Sequence, residues 1–92
     1  MDIFFAIAEP TRRNIIEMLA NGIHLTATQI YEHFDVSKSA ISQHLKVLKD
    51  ANIVIVEKQA QHRIYTLNTN AIYELEDWTK KLHIVLDSQF IK

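Results

Sequence analysis

Between Ser37 and Leu48 the chain runs SKSAISQHLKVL, twelve residues with no acid and two lysines. Wound as a helix, Ile41, Leu45 and Leu48 fall on one apolar stripe, supported by Ala40 and Val47. The opposite and flanking positions carry Lys38, Ser39, Ser42, Gln43, Lys46 and Lys49, and the first carboxylate after them is Asp50. A solvated helix would mix in glutamate to pair with its lysines. Its absence suits a phosphate-rich partner, because carboxylates repel phosphate. Short serines permit close approach to a groove, glutamine can bond an adenine edge in two places, and a free helix N-terminus offers N–H groups to phosphate. These residues point to a helix that lies in the major groove of double-stranded DNA. The alternative is a plain amphipathic core helix.

The elements that must hold such a helix are legible around it. Residues 2–8 suggest a short helix that Ile3, Phe4, Phe5 and Ile7 make apolar nearly all round, so it needs a large apolar surface to cover it. Glu9-Pro10 opens a second helix, since proline suits the first helical position. Ile15, Ile16 and Leu19 face inward there, Arg13 and Glu17 can pair four apart, and Asn21-Gly22 is the expected stop. Ile23 to Leu25 is a short extended link. TATQ (Thr26–Gln29) is a capping box that starts a third helix along Ala27, Ile30, Tyr31 and Phe34. Asp35-Val36 turns the chain, Ser37 caps the recognition helix 37–51, and Asn52 is a left-handed candidate at its end.

Two β-rich segments, Ile53–Glu57 and His62–Leu67, flank the polar turn KQAQ and form an expected hairpin, or wing, over 53–67. The turn lacks glycine, which argues against a tight two-residue connection. A last helix buries Ile72, Leu75, Trp78, Leu82, Val85 and Leu86. Two helices joined by the short turn Phe34–Ser37 and followed by a hairpin make a winged helix-turn-helix. The expected class is mainly α with a small β-hairpin (α+β), one domain over residues 1–92.

The totals agree with that size. Ninety-two residues, 48% hydrophobic, with one Gly and one Pro, suffice for one packed, helix-rich domain. There is no cysteine, which excludes disulfides, thiolate zinc sites and thiol switches and fits a reducing cytoplasm. The apolar run in MDIFFAIAEP is too short for a signal peptide or a membrane span, so no membrane insertion is expected. Net charge is −1 but unevenly placed. Residues 36–67 hold five basic and two acidic side chains, against two basic and five acidic in residues 1–35. The middle of the chain is therefore its anion-facing part.

Three stretches together carry a family resemblance. EPTRRNIIEML (Glu9–Leu19), VSKSAISQHLKVLKDANIV (Val36–Val54) and RIYTLN (Arg63–Asn68) resemble the ArsR-type winged helix-turn-helix repressors, over roughly residues 3 to 80. Within that family the chain looks most like the small, cysteine-free, autorepressor-like members. The resemblance implies a homodimeric repressor on an inverted-repeat operator, joined through its first and last helices. The surplus apolar residues for such an interface are Ile3, Phe4, Phe5, Trp78, Leu82 and Val85. Family base-contact positions fall on Ser39, Ser42 and Gln43, and the family histidine is His44, which either packs, bonds a phosphate or reads a base. Backbone or wing contacts are expected from Ser37, Lys38, Lys46, Lys58, Gln59, Gln61 and Arg63. The wing departs from the pattern: Ala60-Gln61 stands where relatives commonly carry Gly and often Arg, so a glycine turn and a minor-groove arginine are missing. Glu9 and Asn52 replace the usual Asp and Gly, and both are compatible with helix ends.

Other chemistries find less support. His83 and Asp87 lie four apart, but one histidine and one acid make no metal site, and His24, His33 and His62 are scattered. No cofactor is implied, and serines beside His44 on one helix are not a catalytic triad. The competing function is a winged-helix protein-interaction module, against which the lack of glutamate over Lys38–Lys49 and the full reading-helix pattern argue. A partner protein, a small-molecule inducer or autorepression by concentration are all compatible with this chain as ways of release.

Overall fold

The computed structural model describes residues 2–90. Five helices and three strands follow in the order α1 (Ile3–Ile7), α2 (Pro10–Gly22), β1 (Leu25–Thr26), α3 (Ala27–His33), α4 (Lys38–Asp50), β2 (Val54–Gln59), β3 (His62–Leu67) and α5 (Thr69–Phe90). Local signals fix most boundaries. The Asp2 carboxylate accepts the Phe5 N–H at 2.8 Å to cap α1. Glu9 caps α2 through the Arg12 N–H, with Pro10 at the first helical position. The Thr26–Gln29 capping box is closed in both directions, at 3.1 and 2.9 Å. Ser37 Oγ accepts the Ala40 N–H at 3.1 Å to start α4.

The end of α4 is a Schellman cap. Asn52 lies at φ 60°, its N–H donates to Lys49 O, and the Ile53 N–H reaches back to Leu48 O, both at 2.9 Å. Leu48 and Ile53 are both fully buried, and they supply the apolar contact of that motif.

Three places differ from expectation. Gly22 is the last helical residue of α2 rather than its left-handed cap. Ile23 turns the chain instead, at φ 68° and ψ −66°, with the His24 N–H on Gly22 O at 2.8 Å. That is a γ-turn of the strained kind. The glycine serves space: a Cβ there would meet the Leu25 side chain at 3.0 Å. Second, the link after it is a strand. Leu25 and Thr26 pair antiparallel with Tyr65 and Ile64, so the hairpin becomes a three-stranded sheet of order β1-β3-β2. Third, the wing turn is tight after all. Gln59 pairs with His62, leaving Ala60-Gln61 as a two-residue loop with Ala60 at φ 56°. Six consecutive β2–β3 pairs hold the register and offset the left-handed alanine, which costs about 1–2 kcal/mol.

One core joins these elements. Ile15 and Leu19 of α2, Ile30 of α3, the stripe Ile41, Leu45 and Leu48 of α4, and Ile53 beyond it are fully buried. Truncating one of them to alanine costs about 2–5 kcal/mol. Ile3, expected on a dimer face, belongs instead to this core at 6% exposure. Phe4 and Phe5 turn outward, and Phe4 meets Trp78 of α5 edge-on with ring centroids 5.0 Å apart. Arg13 does not reach Glu17; its guanidinium donates to Ile7 O at 2.8 Å and secures the end of α1. Beyond Leu75, α5 runs out along the molecule with Trp78, Leu82, Ile84, Val85 and Leu86 exposed.

Candidate nucleic-acid interface

The buried stripe sets the roll of α4, and so decides what the helix presents. With Ile41, Leu45 and Leu48 inward, Ser39, Ser42, Gln43, Lys46 and Lys49 are all exposed. The 13-residue helix is about 20 Å long, enough to lie across a major groove. Ser37 and Lys38 stand at its start, where the first N–H groups are partly free for an anion.

Ser42 is held by a partner that the sequence did not advertise. Its Oγ lies 2.8 Å from the Tyr31 hydroxyl of α3. Tyr31 thus sets the serine rotamer and ties the two helices of the pair across their turn. Lys46 is also less free than expected: its ammonium sits 3.1 Å from the Asp50 carboxylate, one turn on.

His44 is half-buried at the border of the two faces. Its Nδ1 lies 3.2 Å from Arg12 Nη1 and 3.7 Å from Glu9 Oε2. The ring is thereby bound to the start of α2, which favours a packing and orienting role over base readout. Glu9 responds to the same cluster. Burial pushes its carboxyl up, but the Arg12 N–H, attraction to the His44 ring when that ring is protonated, and the Thr11 hydroxyl and N–H together hold it below the usual carboxylate value.

The wing divides its candidates between two faces. Lys58 and Arg63 are direct cross-strand partners, on the same face as the Val56–Tyr65 pair. Two cations placed opposite each other destabilise a bare sheet, and an anion between them removes that cost. Arg63 also joins Tyr31, Ser42, Lys46, Lys49 and the carboxylate of Asp50 around a polar cleft of about 280 Å³ between α3, α4 and β3. Gln59 lies on the other face, with Glu57, and Gln61 sits at the tip. The structure thus gathers Ser42, Lys46, Lys49 and Arg63 along one side and separates Gln59 from them. Burial pushes the Tyr65 phenol up from its ordinary value, with Tyr31 adding to the shift and Arg63 opposing it.

No group of three or more potential metal ligands occurs among the described residues, and His83 stays on the exposed outer part of α5. No helix among them is long and apolar enough to cross a membrane.

A helix pair with a capped second helix whose first carboxylate is its last residue, followed by a basic two-stranded wing, defines a winged helix-turn-helix regulator. The comparisons narrow this to one family. Residues 9–56 match the family described as bacterial regulatory protein, arsR family. The chain is 40% identical over 77 residues to the transcriptional repressor SdpR of Bacillus subtilis, covering 84% of each chain. A crystal structure of an ArsR family transcriptional regulator superposes with a TM-score of 0.85 at 26% identity, covering 94% of this chain and 88% of that one. A crystal structure of a possible transcriptional regulator for arsenical resistance gives a TM-score of 0.80 at 33% identity, covering 95% and 96%. The chain belongs to the arsR family. It is a transcription regulator of the winged-helix class and not an enzyme.

Proposed function

We propose that this chain is a sequence-specific DNA-binding repressor that acts as a homodimer on an inverted-repeat operator. The observation that carries this is the exposed side of α4. Ser39, Ser42 and Gln43 point away from a fully buried anchor on a helix whose first carboxylate is its last residue. Ser39, Ser42 and Gln43 are the base-contacting residues. Ser37, Lys38, Lys58 and Arg63 bind backbone phosphates, Lys46 faces the same way and can bind one once it leaves Asp50, and Gln61 adds a contact at the wing tip. His44 orients the helix. Gln59, on the opposite wing face, contributes least.

The dimer is supported by apolar surface that one copy leaves uncovered. Phe5 is 54% exposed, Trp78 47% and Val85 54%, with Phe4 and Leu82 beside them. Two half-sites require the α4 helices of such a dimer to sit on one face about 34 Å apart, one turn of DNA. Doubling the chain also doubles its local basic surface, while the acidic remainder limits non-specific binding.

A gel shift with DNA from upstream of the chain's own reading frame tests this reading. A shift that survives excess random duplex, together with a dimer in sedimentation, is expected. A shift abolished equally by random duplex, or none at all, would favour a protein-interaction module.

A further inference from the structure

Arg12 is the buried charged side chain of the described core, at 9% exposure, and its contacts run in two directions. Its Nε donates to Ala6 O at 2.6 Å and its Nη2 to Phe5 O at 3.3 Å, two carbonyls in the last turn of α1, of which Phe5 O also accepts the Ala8 N–H at 3.2 Å. The same guanidinium stands 5.5 Å from the centre of the Phe5 ring. Its third nitrogen, Nη1, meets His44 Nδ1 on α4 at 3.2 Å. One side chain therefore touches both the five-residue helix that carries Phe4 and Phe5 and the helix that carries the DNA-facing residues. A helix of five residues has no stability of its own, so its position depends on such contacts.

We infer that Arg12 is a positioning residue that couples α1 to the recognition helix α4 through His44, so that covering the outer face of α1 also fixes α4. This rests on the proposed reading of α1 as part of a dimer face and of α4 as the DNA-reading helix. The chemistry constrains the histidine. Arginine only donates, so His44 Nδ1 must present its lone pair, and the neutral ring carries its proton on Nε2. Glu9 does not compete for Nδ1: at 3.7 Å its Oε2 is beyond hydrogen-bond range and already accepts the Arg12 backbone N–H at 3.1 Å. Coupling free energy is reciprocal, so a change at His44 must be felt in self-association even without DNA.

Two measurements on the full chain, both without DNA, test this. Nitrogen-15 NMR of the wild-type imidazole at about pH 8, where a free imidazole is neutral, should show the Nε2-protonated tautomer. A ring protonated on Nδ1 overturns the proposal. Sedimentation of His44→Leu should show a dimer dissociation constant raised on the order of 5-fold, although His44 lies off the outer faces of α1 and α5. His44→Asn, whose Oδ1 stands where Nδ1 does and keeps an acceptor for Arg12, should restore it. The double variant with Arg12→Gln should self-associate no more weakly than Arg12→Gln alone. Unchanged self-association in His44→Leu, or additive losses, overturns the coupling. Should Arg12→Gln fail to fold, the wild-type tautomer and the His44 pair decide. A wild type that dimerises but ignores DNA refutes the operator reading and leaves these outcomes intact; a monomeric wild type overturns the coupling through the dimer face.

Discussion

Asp50→Asn should make DNA binding tighter and more salt-dependent. Asp50 holds Lys46 at 3.1 Å on the outside of α4. The pair is exposed on both sides, so it is worth only about 0.3–0.5 kcal/mol of stability. Asp50 also sits at the C-terminal end of α4, where the helix dipole disfavours an anion, so removing its charge costs still less. The freed ammonium can then bind a phosphate. Each phosphate neutralised steepens log K against log salt by about 0.9, and a dimer carries two Lys46, so the slope should steepen by about 1.8. Halving the salt should then tighten the variant by about 3.5-fold more than it tightens the wild type. Fluorescence anisotropy with a labelled operator duplex across a salt series reads this directly. An unchanged slope would refute the placement of Lys46 on the phosphate-facing side of α4.

Further predictions follow from other parts of the fold. Trp78→Ala should raise the dimer dissociation constant by about 1000-fold, the loss expected when a symmetric dimer loses two central aromatics worth roughly 2 kcal/mol each, as read by sedimentation. Ile23→Gly should stabilise the chain by about 1 kcal/mol, raising Tm by about 4–8 °C. The gain comes from a strained left-handed turn whose side chain is largely exposed. Glu9 lies below its ordinary pKa of 4.5, so the stability it contributes is complete above that pH and is lost as pH falls through its lower folded value. The gap in Tm between wild type and Glu9→Gln should therefore close on acidification, whereas a gap constant with pH would contradict the Arg12–His44 setting of that carboxylate.

The helices were legible because each carries its own punctuation. Pro10, the Thr26–Gln29 box, Ser37 and Asn52 act within a few residues of where they stand, and so sequence spacing captures them. Less local outcomes were not legible. β1 exists because Tyr65 and Ile64 arrive alongside Leu25 and Thr26 from forty residues away, and two residues carry no strand pattern of their own. The tight wing turn follows from the six-pair ladder, which overrides the preference of Ala60. Asn21-Gly22 carries the sequence mark of a cap, but the space beside Gly22 is filled by the Leu25 side chain, a contact set by the turn at Ile23.

The same division holds at the interface. The roll of α4, and with it the exposure of Ser39, Ser42 and Gln43, follows from the apolar stripe alone. The supports do not: Tyr31 beneath Ser42 and Arg12 beneath His44 are contacts across 11 and 32 residues. Arg12 did stand in the opening motif, but nothing local marks it as buried. The two-faced wing emerged only with the register, which sets Lys58 opposite Arg63 and turns Gln59 away.

The central claim is that α4 reads bases through its polar side chains, and Gln43 tests it most directly. The measurement is the affinity of wild type and Gln43→Ala for the operator and for a random duplex of equal length at the same salt. Each bidentate base contact is worth about 1–3 kcal/mol and the dimer makes two, so operator affinity should fall by at least about 30-fold. Binding to random DNA, which depends on phosphate contacts, should stay unchanged. Equal losses on both duplexes would contradict base readout by this helix.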